Sequence, residues 1–151
     1  MAANIYNPQD YQTIIRRIEA LSESKQRKWG TMTIGQMLQH CSRQLQSGLG
    51  ELEYTQLEGS PLLRTGLVRW LALYAMPWSK GLPTASKMNM KKQGIVADDF
   101  QAERENLLSL LARIQEEPNL QPHPLFGTLG QKDWGRLIWK HLDHHLKQFG
   151  G

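Results

Sequence analysis

Apolar residues along this chain recur mainly at intervals of three and four, the spacing of helix faces packed against a core. Asn7-Pro8 reads as an N-cap followed by a proline in the first turn. Tyr11, Ile14, Ile15, Ile18 and Leu21 then mark one stripe, which ends in the polar run Ser22-Glu23-Ser24-Lys25. After the turn Trp29-Gly30-Thr31-Met32, Thr33 caps a second helix. Ile34, Met37, Leu38, Cys41, Leu45 and Leu49 form its buried side, and Gly48 and Gly50 close it. Asp98 is expected to cap a later helix carrying Phe100, Leu107, Leu108, Leu111 and Ile114, with Pro118 beyond its end. A last helix is expected from about Gln131 to Phe149, before Gly150-Gly151.

The middle of the chain is patterned differently. Ser60-Pro61 opens a third helical segment, expected from about Leu62 to Met76, that is apolar on nearly every side and interrupted by Arg64 and Arg69. Such a helix is sandwiched or sits at a subunit interface; lying on a membrane surface fits less well, because its polar face is thin. Pro77 to Ala97 has no clear period and holds Gly81, Pro83, Ser86 and Gly94. A connection of that length in a compact domain is often a lid or binding loop. Asn119 to Gly130 is turn-rich and contains Pro122-His123-Pro124. No strand, internal repeat or low-complexity tract is evident. The expected fold class is all-α, a single domain over residues 1–151. Four amphipathic helices, a long crossover and one extra apolar helix suit a four-helix bundle.

Composition narrows the setting. A chain of 151 residues can bury a core without disulfide staples, and 40% apolar with 21% charged residues favours folding over disorder. Cys41 is the single cysteine, so no internal disulfide can form. No signal-like start and no bilayer-length apolar run is seen, and a cytoplasmic location is expected. The net charge of +4 does not favour nucleic acid, because the cations are dispersed instead of gathered on one face. Lys87, Lys91 and Lys92 form one short group, expected to be solvated or, if the loop covers a site, to attract an anionic substrate.

The candidate chemistry lies on the last helix. At about 100° per residue, Trp134, Leu137, Ile138, Leu142 and Phe149 define an apolar arc. His141 and His145, four apart, fall near its middle; His144 falls at its edge, Asp143 nearly opposite, and Trp139 away from it. Paired imidazoles in an apolar stripe suit a divalent metal; a hydrogen-bonded core pair is the plainer alternative. A third ligand could be His40, on the flank of the second helix, or His123, in the proline-flanked loop. Cys41 reads as a core residue. Gln36, Gln44 and Gln148 are candidate partners for the outer ring nitrogens. Glu103 is another, but it more simply serves the helix start near Asp98 and Asp99.

Three segments carry a resemblance. They are Trp29-Gly30-Thr31-Met32-Thr33 leading into Gln36-Met37-Leu38-Gln39-His40-Cys41; Pro122-His123-Pro124-Leu125-Phe126-Gly127; and Trp134-Gly135 with His141-Leu142-Asp143-His144-His145-Leu146-Lys147-Gln148-Phe149. Together they resemble the DinB-like (damage-inducible) family of metal-dependent four-helix bundles, in a branch of small bacterial proteins. The resemblance implies that one histidine of the second helix and two of the last bind a divalent metal, here His40, His141 and His145. It picks His40 over His123 as the third ligand and leaves His123 in the pattern as a residue that could line the site; in its proline-flanked loop a structural role for His123 is expected ahead of ligation. Some relatives in that superfamily are transferases and isomerases that use low-molecular-weight thiols. The expectation is therefore a metal-dependent enzyme of small-molecule chemistry, by thiol transfer or hydrolysis, with zinc ahead of nickel. Its expected partners are a small-molecule substrate, a low-molecular-weight thiol and a second copy of the chain in a homodimer. The rival is a non-enzymatic metal-binding stress or interaction protein that dimerises through Leu62 to Met76. An enzyme should leave one metal position open, whereas a structural site should be closed by a fourth protein ligand such as His123.

Overall fold

The computed structural model describes residues 1–82 and 84–151. Those residues are all-helical; one isolated antiparallel bridge joins His123 and Gly127. The helices are α1 (Pro8–Glu19), α2 (Ile34–Gly48), α3 (Gly66–Trp70), α4 (Phe100–Glu116) and α5 (Gln131–Gln148), with 3-10 turns at Pro61–Arg64 and Ser86–Met88 and a π turn at Leu71–Ala75.

Helix starts follow from side chains that accept the first orphan N–H groups. The Asn7 side chain accepts from Gln9 and Asp10, with Pro8 as the first helical residue. Thr33 and Gln36 form a reciprocal capping box: the Gln36 N–H donates to Thr33 Oγ1 at 3.1 Å and the Thr33 N–H to Gln36 Oε1 at 3.0 Å. α4 is capped by Asp99 and not by Asp98, because it is the Asp99 carboxylate that reaches the Ala102 N–H, at 2.9 Å.

The four longer helices touch in a closed cycle, α1 with α5, α5 with α2, α2 with α4 and α4 with α1. Ile14, Ile18, Leu38, Leu45, Leu111, Trp134 and Ile138 are fully buried between them. Each such side chain contributes about 1.5–3 kcal/mol when removed from water. The Trp134 indole N–H donates to the Gln121 carbonyl at 3.1 Å, which lets that residue be buried whole. The N-terminal segment crosses α5 at Gly135, where the Ile5 N–H donates to the Gly135 carbonyl at 3.1 Å and a Cβ would strike the Asn4 side chain. Asp143, on the polar side of α5, ties it to α1 through Arg17 at 2.8 Å and also pairs with Lys147.

The segment expected as one helix from Leu62 to Met76 is broken. Thr65 is extended, with φ −71° and ψ 144°, and its hydroxyl donates to the Leu62 carbonyl at 2.7 Å. Only Gly66–Trp70 is α-helical before the π turn, where the Met76 N–H reaches the Leu71 carbonyl at 2.9 Å. α5 supplies the reason for that ending. Lys140 Nζ donates to the Ala72 carbonyl at 2.6 Å and the Met76 carbonyl at 2.5 Å, and Arg136 Nε to the Leu73 carbonyl at 2.8 Å. These donors satisfy carbonyls that a longer helix would have paired internally. Leu62, Leu67, Trp70 and Met76 stay at least half exposed, so the segment is not sandwiched.

The connection after Met76 is pinned at several points. The Glu58 carboxylate accepts from the Ser86 N–H at 2.7 Å and from the Ser86 hydroxyl. Arg43 donates to the Lys87 carbonyl at 2.6 Å, and Gln36 Nε2 to the Ile95 carbonyl at 2.7 Å. Ala85, Met88 and Met90 are buried. Lys87 is not simply solvated: its Nζ donates to the Glu53 carbonyl and lies over the Tyr54 ring, while Lys91 and Lys92 are exposed. None of the described helices is long and apolar enough to cross a membrane.

Candidate metal centre

α2 and α5 pack so that His40 faces His141 and His145. All three are buried, at 4%, 6% and 9% exposure, and one ring nitrogen from each lies within 4.8 Å of the others. The ring centroids are 4.6–4.7 Å apart in every pairing, at interplanar angles of 61°, 74° and 86°. The three rings thus crowd together at steep mutual angles. His40 Nε2 and His141 Nε2 are 2.8 Å apart. Zn–N bonds of about 2.0–2.1 Å at tetrahedral angles would place ligand nitrogens roughly 3.3 Å apart. The observed 2.8 Å contact and 4.8 Å outer limit bracket that spacing.

Hydrogen bonds on the outer side of the rings fix where the protons sit. His40 Nδ1 is 2.7 Å from the Met88 carbonyl, which can only accept, so Nδ1 carries the proton. The Gln148 amide is oriented by its Nε2–H bond to the Trp29 carbonyl at 2.9 Å, which turns Oε1 toward His145 Nδ1 at 2.9 Å. His145 Nδ1 therefore also carries the proton. In the neutral rings both Nε2 atoms are then bare lone pairs. Gly30 makes the Gln148 bond possible: it sits at φ +78°, and a Cβ there would lie 2.5 Å from Gln148 Nε2. His141 Nδ1 is buried and has no partner among the described residues.

Burial keeps all three rings neutral. It pulls His40 below its ordinary value, against a smaller upward pull from the Met88 carbonyl. Burial, then the neighbouring imidazoles, pushes His141 well below it. Burial and His40 bring His145 down to about 3. Neutral imidazoles with converging lone pairs are the donor set of a borderline divalent cation, and these three residues could hold one. Without a cation, one shared proton would satisfy the His40–His141 contact, and His141 Nδ1 is left without a partner in either state.

The remaining candidates fall elsewhere. His123 is 3% exposed, and its Nδ1 accepts the N–H groups of Leu125 and Phe126 at 3.1 and 3.3 Å, so it organises its own turn. His144 is half-buried at the edge of the α5 stripe, 5.1 Å from the His145 ring and between Trp29 and Trp78 at 5.7 and 6.2 Å. Cys41 is buried core, and burial raises its thiol well above the ordinary value. Glu103 stays at the α4 start, its carboxyl raised by burial and by Asp99. Of the three glutamines considered, Gln148 is the partner; Gln36 is committed to the α2 cap. The Met88 carbonyl had no signal in the sequence, because it lies in an aperiodic connection 48 residues from His40.

The trio opens on a cavity of about 360 Å³. Trp29, Met32, Trp78 and Met88 form much of its apolar wall, with Gln44, His144 and Lys91 as polar lining. Trp78 is held there by its indole N–H bond to the Ala72 carbonyl at 2.9 Å and by Lys140 Nζ 5.5 Å from its ring.

Over residues 6–150 the chain matches the family DUF1569, described as a protein of unknown function, and it belongs to that family. No curated protein matches the chain. No solved structure matches it either.

Proposed function

We propose that this DUF1569 protein is a metal-dependent enzyme of small-molecule chemistry, with one divalent cation on His40, His141 and His145. One observation carries the reading: two histidines whose protons are fixed outward, on the Met88 carbonyl and on Gln148, leave bare Nε2 lone pairs beside a third histidine on the wall of a cavity. Zinc is the first choice and nickel the second, since imidazole-only sites discriminate weakly between them. A cation held this way supplies a Lewis acid that acidifies a water or a thiol. The protein's share is to hold the imidazoles neutral and oriented, through Met88 and Gln148, and to exclude bulk water with Trp29 and Trp78. Thiol transfer and hydrolysis are the two reaction classes that suit this arrangement, with a low-molecular-weight thiol as the expected small-molecule partner in the first.

The closed cycle of α1, α5, α2 and α4 supports a DinB-type four-helix bundle with residues 49–99 as its long crossover. Exposed Leu62, Leu67, Trp70 and Met76 offer an apolar face for a homodimer. The protein is proposed to work in the cytoplasm, without nucleic acid. The rival reading is a closed, non-enzymatic metal site. It is disfavoured because His123 Nδ1 is already taken by two backbone N–H groups and because the trio faces a cavity.

Cobalt(II) loading tests the choice. An open site gives a visible spectrum that shifts when a small thiol or azide is added. A spectrum unmoved by either would indicate a closed site and overturn the enzymatic reading.

A further inference from the structure

We infer that the cavity takes a small organic anion, with its charged end toward the histidine trio and its apolar body against Trp29 and Trp78. The inference rests on the metal reading above and names its substrate class.

The argument begins with charge. Among the described residues that line the cavity there is no aspartate or glutamate, but there are five histidines and Lys91. Three neutral imidazoles leave the charge of a divalent cation uncompensated, in a site where burial makes an unpaired charge costly. Many metal sites balance that charge with a ligand carboxylate; here the chain supplies none. The carboxylate next along α5, Asp143, is paired with Arg17 at 2.8 Å and Lys147 at 2.7 Å. Positive charge stands nearby: Lys91 is on the lining, and Lys80, outside it, has its Nζ 4.9 Å from the ring centroid of the lining Trp29. Apart from an acidified water, the ligand is the source of the missing negative charge.

Shape and polarity set the rest. The cavity volume, about 360 Å³, is at the small end for ligand sites. Trp29 and Trp78 flank His144, so an apolar or aromatic body can lie against the indoles. Gln44, 3% exposed on the same wall, has an Oε1 with no partner among the described residues. A half-turn of this carboxamide exchanges Oε1 for Nε2 and would put an N–H donor at that position for an anion.

The test uses zinc-loaded, tag-free protein whose zinc content is measured on the same sample. Binding of phenylacetate, its neutral counterpart phenylacetamide and the cation phenethylamine is followed by tryptophan fluorescence, with benzyl mercaptan as an arm that tells a sulfur anion from an oxygen anion. Phenylacetate or the thiol is expected to bind more than tenfold tighter than phenylacetamide, and phenethylamine weakest. Lys91→Glu, on an exposed side chain, is expected to weaken anion binding several-fold and leave phenylacetamide unchanged. If zinc is retained and the amide binds as well as the anions, or the amine binds better, the inference fails while the metal site stands. Protein that retains no zinc overturns both.

Discussion

His123 and the trio of His40, His141 and His145 are the same residue type at nearly the same burial, yet they are built for different work. His123 turns Nδ1 onto two backbone N–H groups three residues or fewer away, and the ring finishes a local turn whose ends pair through the His123–Gly127 bridge. The trio does the reverse. Its outer nitrogens are held from outside, by a carbonyl 48 residues distant from His40 and by a carboxamide itself braced on Trp29, while the inner nitrogens face one another. Burial makes a histidine neutral in either place. Which nitrogen the surroundings occupy decides whether a lone pair is left over for a ligand.

The comparison breaks most sharply at the ligands. Zinc at about a hundred times its Kd should stabilise the wild type by about 2.7 kcal/mol, which for a domain of this size raises Tm by roughly 5–11 °C. The shift should vanish in His40→Ala and persist in His123→Asn, as read by thermal unfolding with and without a chelator. A zinc-dependent shift retained by His40→Ala would erase the distinction between the two regions.

Removing Gln148 should do less. Gln148→Leu frees the His145 ring and its tautomer, and losses of this kind cost about 10–100-fold in metal affinity. Competition with a chromogenic chelator measures it, and an unchanged affinity would show that the bond to Gln148 does not orient the ring.

His123 should announce itself through acid. Burial holds it at about 3, against an ordinary value near 6.5. Below pH 6.5 the unfolded chain therefore takes up a proton that the folded chain refuses until about pH 3. Stability must fall as pH falls through that window, by up to about 1.4 kcal/mol per pH unit for this one group. Denaturant unfolding across pH 6.5 to 4 should show that slope, reduced in His123→Leu, the variant being less stable at neutral pH. Equal slopes would mean that His123 is not a buried neutral ring. Smallest of all, Cys41→Ala should leave zinc affinity unchanged, since the thiol is core and not a ligand.

Much of this was legible in the sequence where the information is local. Asn7-Pro8 and Thr33 start helices as their capping chemistry dictates, whereas Gln36, read as a candidate partner of a ring nitrogen, completes the Thr33 cap instead. The phase of α5 separates buried His141 and His145 from half-buried His144. The misreadings fall where distant groups decide. Leu62 to Met76 has the composition of a helix, but Thr65 turns out of it, and Lys140 and Arg136 of α5 take the carbonyls at its end. Met88 cannot be found by period, because a carbonyl has no side-chain signature. His40 lies at a flank of the α2 stripe, and only the packing of α5 against α2 brings it to His141 and His145. Lys87, read with its neighbours as solvated, is drawn to the Glu53 carbonyl and the Tyr54 ring by a fold the sequence does not spell out.

The most direct test is elemental analysis of protein purified without an affinity tag, beside the double variant His141→Ala, His145→Ala. The wild type should carry about one equivalent of zinc or nickel per chain, as a single three-histidine site requires, and the folded variant should carry none. Equal metal content in the two proteins would contradict the claim that these imidazoles are ligands.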